Sequence, residues 1–175
     1  EKAVRLAQNY GVDAKLYPKV SDGLRNWQDS LPNVVVIAGL SGKTIANILQ
    51  DSREIVSQCD QILVQPMQGV PFLRKWLAEK DWPVVQEALI QEEGRYFFIF
   101  RIVPGSNGRI QQKEDYTLSD YLLAQNDPVY YQWLVDRREG DRRERARLIH
   151  RGGDGLQQAL AVIDARRETE GKHIA

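Results

Sequence analysis

The feature that most constrains this chain is an apolar run that ends in a glycine-rich corner. Residues 34–37 are all β-branched, and residues 38–42 read Ala-Gly-Leu-Ser-Gly. Four consecutive β-branched residues predict a strand that is buried on both faces, as in a parallel sheet. The two glycines let the backbone turn sharply and approach a ligand closely. Because a helical pattern begins at Lys43, the sequence predicts the strand, tight corner and helix N-terminus at which α/β proteins bind ligands.

The composition narrows the class of protein without indicating a partner. The 175 residues are enough for one domain with a full core and an appended element. The 24 basic and 24 acidic side chains cancel, so an interaction with nucleic acid would have to come from local clusters of charge. The single cysteine, Cys59, excludes an internal disulfide and indicates a reducing compartment. No apolar stretch is long enough to span a membrane, so we expect a cytoplasmic protein without a membrane partner.

Helix and strand patterns alternate in the first part of the chain. A helix is predicted from the start of the chain to Gly11, and an alternating strand over residues 14–20. The central strand and its helix follow, and then a short apolar strand over residues 61–65. This alternation indicates an α/β domain.

The pattern changes after a proline-initiated helix over residues 71–80. Residues 84–91 and 95–103 are strand-like and are separated by Glu-Glu-Gly, which indicates an antiparallel hairpin.

The last third of the chain is helical in pattern. One long helix starts near Pro128 and ends at a glycine pair at 152–153, and a final helix covers residues 156–170. Two helices joined by a glycine pair predict an antiparallel hairpin. We therefore expect an α/β domain over residues 1–115 and a helical appendage over residues 116–175.

Four short motifs occur in the order and at the spacing of one known family. They are Ser-Asp-Gly-Leu at 21–24, Ile-Ala-Gly-Leu-Ser-Gly at 37–42, Leu-Val-Gln-Pro at 63–66 and Leu-Arg-Lys-Trp-Leu at 73–77. With the terminal helices, they resemble the bacterial tRNA (adenine-N1)-methyltransferases of the TrmK family over roughly residues 1 to 150. The resemblance implies a Rossmann-like class I methyltransferase sheet of strand order 3-2-1-4-5-7-6. It also implies S-adenosylmethionine as cofactor, tRNA as partner and methyl transfer to N1 of a D-arm adenosine.

The sequence departs from this family in two respects. The family's first two strands, which carry the glycine-rich cofactor loop and an acidic residue for the ribose, have no counterpart here. We therefore expect an N-terminally incomplete, partial sheet that a missing N-terminal segment or self-association completes, because unpaired strand edges are costly. Leu40 and Ser41 also replace a methionine and a glycine of the family motif, and the serine adds bulk where the target base would approach.

The resemblance implies roles for residues at the ends of the strands. The residues implied to bind the cofactor are Asp22, Gly23, Ala38 and Gly39. Those implied to form the catalytic corner are Gly39, Leu40, Ser41 and Gly42, with Gln65 and Pro66 of the next strand. Asp22 would accept a hydrogen bond from the amino group of the cofactor's adenine. The alternative is that the glycines only turn the chain and that Asp22 is an ordinary turn residue.

The implied reaction makes modest chemical demands. The methyl donor is a sulfonium, so neither a metal nor a covalent intermediate is needed, and alignment can supply about 7 to 11 kcal/mol of the barrier. N1 lies on the base-pairing edge of adenine, so the base must be unpaired or flipped out. We expect no metal site, because His, Cys and acidic residues do not cluster in the sequence.

A phosphate loop is an alternative for the same corner. Residues 39–44, Gly-Leu-Ser-Gly-Lys-Thr, resemble part of the loop of nucleoside triphosphatases. The full pattern requires glycine where this chain has Ile37, and the next strand ends in Gln65 instead of an aspartate for Mg²⁺. A phosphate-loop nucleotide-binding protein is therefore disfavoured.

Arginines cluster in the long helix. They are Arg137, Arg138, Arg142, Arg143, Arg145, Arg147 and Arg151. Arginine suits bidentate contacts with phosphate, and the nearby acidic residues are too few to neutralise the cluster, so we predict contact with the RNA backbone. The alternative is a solvated helix held by Glu–Arg pairs. A further alternative for the whole chain is an RNA-binding fragment or degenerate homologue that does not bind cofactor.

Aromatic residues precede the arginines on the same helix. We expect Tyr130, Tyr131 and Trp133 to pack in the core and the hairpin, and not to stack on bases.

Overall fold

The computed structural model describes residues 2–25, 32–107, 116–151 and 156–172. Its strands are β1 (Val34–Ser41), β2 (Gln61–Gln68), β3 (Val84–Glu92) and β4 (Arg95–Ile102). They form one sheet of order β1-β2-β4-β3, in which β1 and β2 are parallel and β4 is antiparallel to β2 and β3. This is the 4-5-7-6 part of the order implied by the family resemblance, so the predicted partial Rossmann-like sheet is confirmed.

The five helices predicted above are present in order, and the short helix Arg53–Val56 was not predicted. The helices are α1 (Lys2–Asn9), α2 (Gly42–Asp51), α3 (Arg53–Val56), α4 (Val70–Glu79), α5 (Asp120–Ala124), α6 (Pro128–Arg151) and α7 (Leu156–Gly171). A turn of 3-10 helix, Asp13–Lys15, follows α1. α2 and α4 pack on each other and on the parallel strands, whereas α5 and α6 pack on β3.

The β3–β4 hairpin is confirmed, with its turn where the sequence places it. Glu93 and Gly94 have φ values of 49° and 73°. Two successive left-handed residues match the right-handed twist of the flanking strands, which explains why glycine follows the glutamates there.

β1 is an edge strand buried on one face, so the prediction of burial on both faces is wrong. Val35 and Ile37 belong to the core, whereas Val34 and Val36 are 44% and 64% exposed. Successive side chains of a strand point to opposite faces. Within the described residues β1 pairs only with β2, so its other edge and its second face lack a neighbour that would cover them.

The strand predicted over residues 14–20 is also wrong. After the 3-10 turn, residues 16–20 have no regular secondary structure, and Tyr17 and Val20 are fully or almost fully exposed. Alternation of side chains cannot make a strand without a partner for its backbone, and Pro18 removes one donor.

A buried ion pair joins α4 to the sheet. Arg74 and Glu87 are 4% and 2% exposed in their side chains, and Nε and Nη2 of the guanidinium donate to the two carboxylate oxygens at 3.1 and 3.0 Å. Nη1 donates to the carbonyl of Tyr116 at 2.7 Å, and the guanidinium lies 5.5 Å from the ring of Phe98. Because all three nitrogens are occupied, this one side chain connects α4, β3, β4 and the chain that enters α5.

The N-terminal half of α6 is packed on β4 by aromatic contacts. Trp133 packs edge-to-face on Phe98 at 5.1 Å and stacks on Tyr130 at 5.2 Å, so the packing predicted for these aromatics is confirmed. Tyr96 donates a hydrogen bond to Oδ2 of Asp136 at 2.5 Å. Burial and this hydrogen bond raise the pKa of Tyr96 to about 12.

α6 and α7 form the predicted antiparallel hairpin. Ion pairs join Arg137 to Glu170 and Arg145 to Asp164, at 2.7 and 2.9 Å. Residue numbers fall along α7 as they rise along α6, which defines the antiparallel direction. The glycine pair at 152–153 lies outside the described residues.

We predict that Arg74→Met destabilises the chain by about 3–5 kcal/mol, because it leaves the buried Glu87 carboxylate without its partner. The double variant Arg74→Met/Glu87→Leu should recover most of that loss, since it removes both charges. Urea unfolding followed by circular dichroism measures both. The control is Lys75→Met, which removes an exposed pair with Glu79 and should change the free energy of unfolding by less than about 0.5 kcal/mol. A double variant as unstable as the single one would contradict this account.

Candidate active site

The β1–α2 corner joins the strand to the helix without an intervening loop. β1 ends at Ser41 and α2 begins at Gly42. The Ser41 hydroxyl accepts a hydrogen bond from the Thr44 amide at 3.1 Å and lies 2.8 Å from the Thr44 hydroxyl, so it caps the helix. No residues remain between strand and helix to wrap a pyrophosphate, which removes the basis of the phosphate-loop alternative.

Gly39 interrupts the pairing of β1 with β2. Ala38 pairs with Gln65 and Leu40 with Pro66, so Gly39 has no partner in the ladder. Its φ of 77° is left-handed, a conformation that glycine adopts at little cost. Its amide donates to Oε1 of Gln65 at 3.0 Å. The bulge therefore accounts for a glycine at this position.

A second corner, between β2 and α4, touches the first. It turns at Gly69, which has a φ of 73°. A Cβ atom on Gly42 would lie 2.5 Å from the Gly69 carbonyl oxygen and 3.1 Å from Cβ of Leu73. Gly42 is therefore required for the close approach of the two corners, whose helices both begin at the carboxyl ends of parallel strands. Ligands of α/β proteins bind in such a place.

The six residues predicted for the catalytic corner meet at this end of the sheet, but they differ in accessibility. Gly39 and Leu40 are exposed, and a Cβ on Gly39 would meet nothing within 4 Å. Gln65 is half-buried, whereas Gly42 and Pro66 are buried. The surface that a ligand could reach is thus formed by Gly39, Leu40 and the edge of Gln65.

Asp22 and Gly23 lie along α2, beside the corner. They line a groove of about 250 Å³ with the face of α2 that carries Thr44, Asn47 and Asp51. Arg25 lies 3.1 Å from the Asp22 carboxylate and also binds Asp51. Thr44 is the residue that this groove shares with the Ser41 cap.

Two of these contacts were not predicted from the sequence. The Ser41 cap has a local signal, because serine is a preferred residue directly before the first turn of a helix. The pair of Arg25 with Asp51 has none, since 26 residues separate the partners.

The arginines of α6 differ in what they contact. Arg137 and Arg145 bind acids of α7, and Arg143 pairs with Glu139 on its own helix at 3.2 Å. Arg138 points its Nε into the hairpin, where that atom has no hydrogen-bond partner.

Three arginines remain accessible. Arg142, Arg147 and Arg151 are exposed, and they make no ion pair within the residues described. These three side chains are called the free arginines below.

Neither a metal-binding group nor a membrane-spanning helix is found in the part of the chain that the structure describes. Residues 2–25, 32–107, 116–151 and 156–172 contain no group of three or more His, Cys, Asp or Glu side chains that could hold a metal ion. The helices among those residues include none that is long and apolar enough to cross a membrane.

The fold is that of a methyltransferase domain. The model of the methyltransferase-domain family matches residues 1–100, and the chain belongs to this family. The tRNA (adenine(22)-N(1))-methyltransferase of Bacillus subtilis (strain 168) is 23% identical over 95 residues, which are 54% of this chain and 40% of that protein. This similarity confirms the resemblance to the TrmK family. The match spans less than half the length of the curated relative.

Solved structures agree on the fold. A protein of the NADB-Rossmann superfamily from Streptococcus agalactiae has a TM-score of 0.80 at 18% identity, covering 99% of this chain and 74% of that chain. TrmK of M. capricolum, solved with S-adenosyl-homocysteine, has a TM-score of 0.75 at 17% identity, covering 98% and 74%. At such identities the likeness shows the fold alone.

We predict that Gly42→Ala destabilises the chain by about 1–3 kcal/mol, because the new methyl group collides with the Gly69 backbone. The control is Gly140→Ala in α6, where a Cβ meets nothing within 4 Å. That variant should gain about 0.5–1 kcal/mol from helix propensity. Urea unfolding of both variants measures the contrast, and equal effects would show that the two corners do not touch.

A second prediction concerns the pH dependence of the α6–α7 hairpin. Burial raises the pKa of the Glu170 carboxyl, although Arg137 lowers it. A raised folded-state pKa favours the protonated form, so this contribution to stability is complete at acidic pH and is lost as pH rises through that pKa. Glu170→Gln should therefore gain stability relative to the unmodified chain as the pH increases from about 4 to 7. Urea unfolding over this range measures the difference. The exposed Glu168→Gln is the control, and the same trend in both variants would contradict the assignment.

Proposed function

We propose that this chain carries part of an S-adenosylmethionine-dependent methyltransferase that modifies N1 of an adenosine in tRNA. The observation that carries the proposal is the pair of touching strand-to-helix corners, with Gly39 and Gln65 on the reachable surface. The named relatives support it, because the B. subtilis protein is a tRNA (adenine(22)-N(1))-methyltransferase and M. capricolum TrmK binds S-adenosyl-homocysteine.

The residues present fit a nucleoside cofactor at this corner. Open space beside the left-handed Gly39 lets a ligand approach the backbone. In the proposal, Ala38 and Gly39 contact the cofactor from the end of β1. Asp22 accepts a hydrogen bond from the adenine amino group, and Gly23 lies beside it. S-adenosylmethionine would supply an activated methyl group. The chain's task is then to orient the reacting groups, which is the role that positioning can fill without a metal.

The target base would bind at the same end of the sheet. Leu40 and Met67 are exposed apolar side chains that flank the corner, and they offer surface to an unstacked base. Gln65 and Pro66 delimit this surface from β2. Ser41 holds the first turn of α2, so its hydroxyl supports the corner and does not act on the base.

The division of labour follows the two parts of the chain. We assign cofactor and base to residues 1–115 and tRNA backbone contacts to residues 116–175, in the cytoplasm, where tRNA is found. The edge of β1 that has no partner among the described residues is where a further strand, from elsewhere in the protein or from a second copy, would pair.

Two observations favour the alternative of RNA binding without cofactor binding. Arg25 already pairs with Asp22, and among the described residues the outer edge of β1 has no partner strand beside the corner. Under this alternative the free arginines still bind RNA, but the corner is inactive.

Calorimetric titration with S-adenosylmethionine and S-adenosyl-homocysteine separates the two functions. We expect heat of binding from both compounds and formation of N1-methyladenosine in an unmodified tRNA transcript, detected by mass spectrometry of the nucleosides. Asp22→Asn should weaken cofactor binding, because the amide accepts hydrogen bonds less strongly than the carboxylate. Binding of tRNA without any heat from either cofactor would leave only the alternative.

A further prediction concerns the free arginines. Replacing Arg142, Arg147 and Arg151 by glutamine should lower tRNA affinity and reduce the slope of log K against log salt by about 2–3, because three phosphate contacts are lost. The control removes the same charge elsewhere, by replacing Lys75, Lys80 and Arg95 with glutamine. Fluorescence anisotropy at several salt concentrations measures the slopes. Equal slopes for the two triple variants would place the RNA on another surface.

A further inference from the structure

Gln65 uses both ends of its side-chain amide on the backbone. Oε1 accepts from the Gly39 amide at 3.0 Å, and Nε2 donates to the Pro66 carbonyl at 3.1 Å. Nε2 also lies 3.7 Å from the sulfur of Met67. Nε2 is thus engaged on its own strand, while Oε1 reaches across to β1.

Gly39, which donates that hydrogen bond, has little else to hold its backbone. Gly39 is left out of the β1–β2 ladder, and nothing lies within 4 Å of the position that its Cβ would take. Without a fixed acceptor its amide would bind water, and glycine would sample other backbone conformations freely. The hydrogen bond from Gly39 to Gln65 therefore selects one conformation at the point where a ligand approaches.

We infer that Gln65 is a positioning residue that holds Gly39 in its left-handed conformation and thereby shapes the methyl-transfer corner. It acts through Gly39, and its own edge only borders the surface assigned to the base. The hydrogen bond to the Pro66 carbonyl fixes which way the amide points, so that oxygen and not nitrogen faces Gly39. The inference rests on the proposed function for the identity of the reaction, but the hydrogen bond can be tested without it.

Two substitutions separate the two ends of the amide. Gln65→Met keeps the length of the side chain and removes both hydrogen bonds. Gln65→Glu keeps an acceptor for the Gly39 amide and loses the donor to Pro66. The control is Gln68→Met, on an exposed glutamine of the same strand end, opposite Ser41 in the ladder.

The first measurement is hydrogen exchange of the Gly39 amide by NMR, on the whole chain without any ligand. We expect exchange to be roughly threefold to tenfold faster in Gln65→Met, and close to that of the unmodified chain in Gln65→Glu and Gln68→Met. Unchanged exchange in Gln65→Met would overturn the inference, whatever the outcome with cofactor.

The second measurement is the kinetics of tRNA methylation. A positioning role predicts a lower kcat in Gln65→Met with little change in KM for tRNA, and recovery of kcat in Gln65→Glu. A raised KM for tRNA at unchanged kcat would instead make Gln65 a contact of the base and overturn the inference. If the unmodified chain shows neither cofactor binding nor methylation, the proposed function fails. Hydrogen exchange of the Gly39 amide then decides by itself whether Gln65 holds Gly39 in its left-handed conformation.

Discussion

The arrangement of the candidate site depends on the buried pair of Arg74 and Glu87. The pair fixes α4 against β3 and, through the rings of Phe98 and Phe100, against β4. α4 begins directly after Gly69, which packs on Gly42. The position of the β1–α2 corner is thus linked by contacts to a charge pair on the far side of α4. A buried pair of this kind adds little net stability, because the cost of removing both charges from water offsets most of their attraction.

Local patterns in the sequence predicted the elements whose cause is local. The β3–β4 turn follows from glycine at a left-handed position, and the start of α4 from its proline. The exposed face of β1 could not be predicted in this way. A β-branched run indicates a strand, but whether both faces are buried depends on which elements cover them. The strand predicted over residues 14–20 was wrong for a related reason. Alternation of polar and apolar side chains does not show whether a neighbouring strand is available for pairing.

Long-range polar contacts were equally out of reach of local patterns. Arg74 falls in a helical segment next to Lys75, where a charged side chain is usually exposed. Its burial is set by Glu87, which belongs to a strand 13 residues later. The arginines of α6 show the same limit. Their number indicated a basic surface, but only the position of α7 separates Arg137 and Arg145, which bind its acids, from Arg147 and its exposed neighbours.

The position of the candidate site at the β1–α2 corner was predicted, but only some of its contacts were. The glycines, Gln65 and Pro66 do meet at one end of the sheet. The cap by Ser41 and the bridge from Gln65 to Gly39 depend on rotamers and on a shift in strand register, which a motif does not encode.

α6 is attached to the sheet near its N-terminal end, so a small tilt there displaces its C-terminal end by a larger distance. Its 24 residues span about 36 Å, and its N-terminal half is fixed on the sheet by Trp133 and by the hydrogen bond from Tyr96 to Asp136. Arg151 lies about 22 Å beyond Asp136 along the axis. A tilt of α6 by about 5° at Asp136 therefore moves Arg151 by about 2 Å, which is the scale of a phosphate contact. The ion pairs between α6 and α7 resist such a tilt. Small changes at the Tyr96–Asp136 contact would thus be amplified into the reach of the arginines.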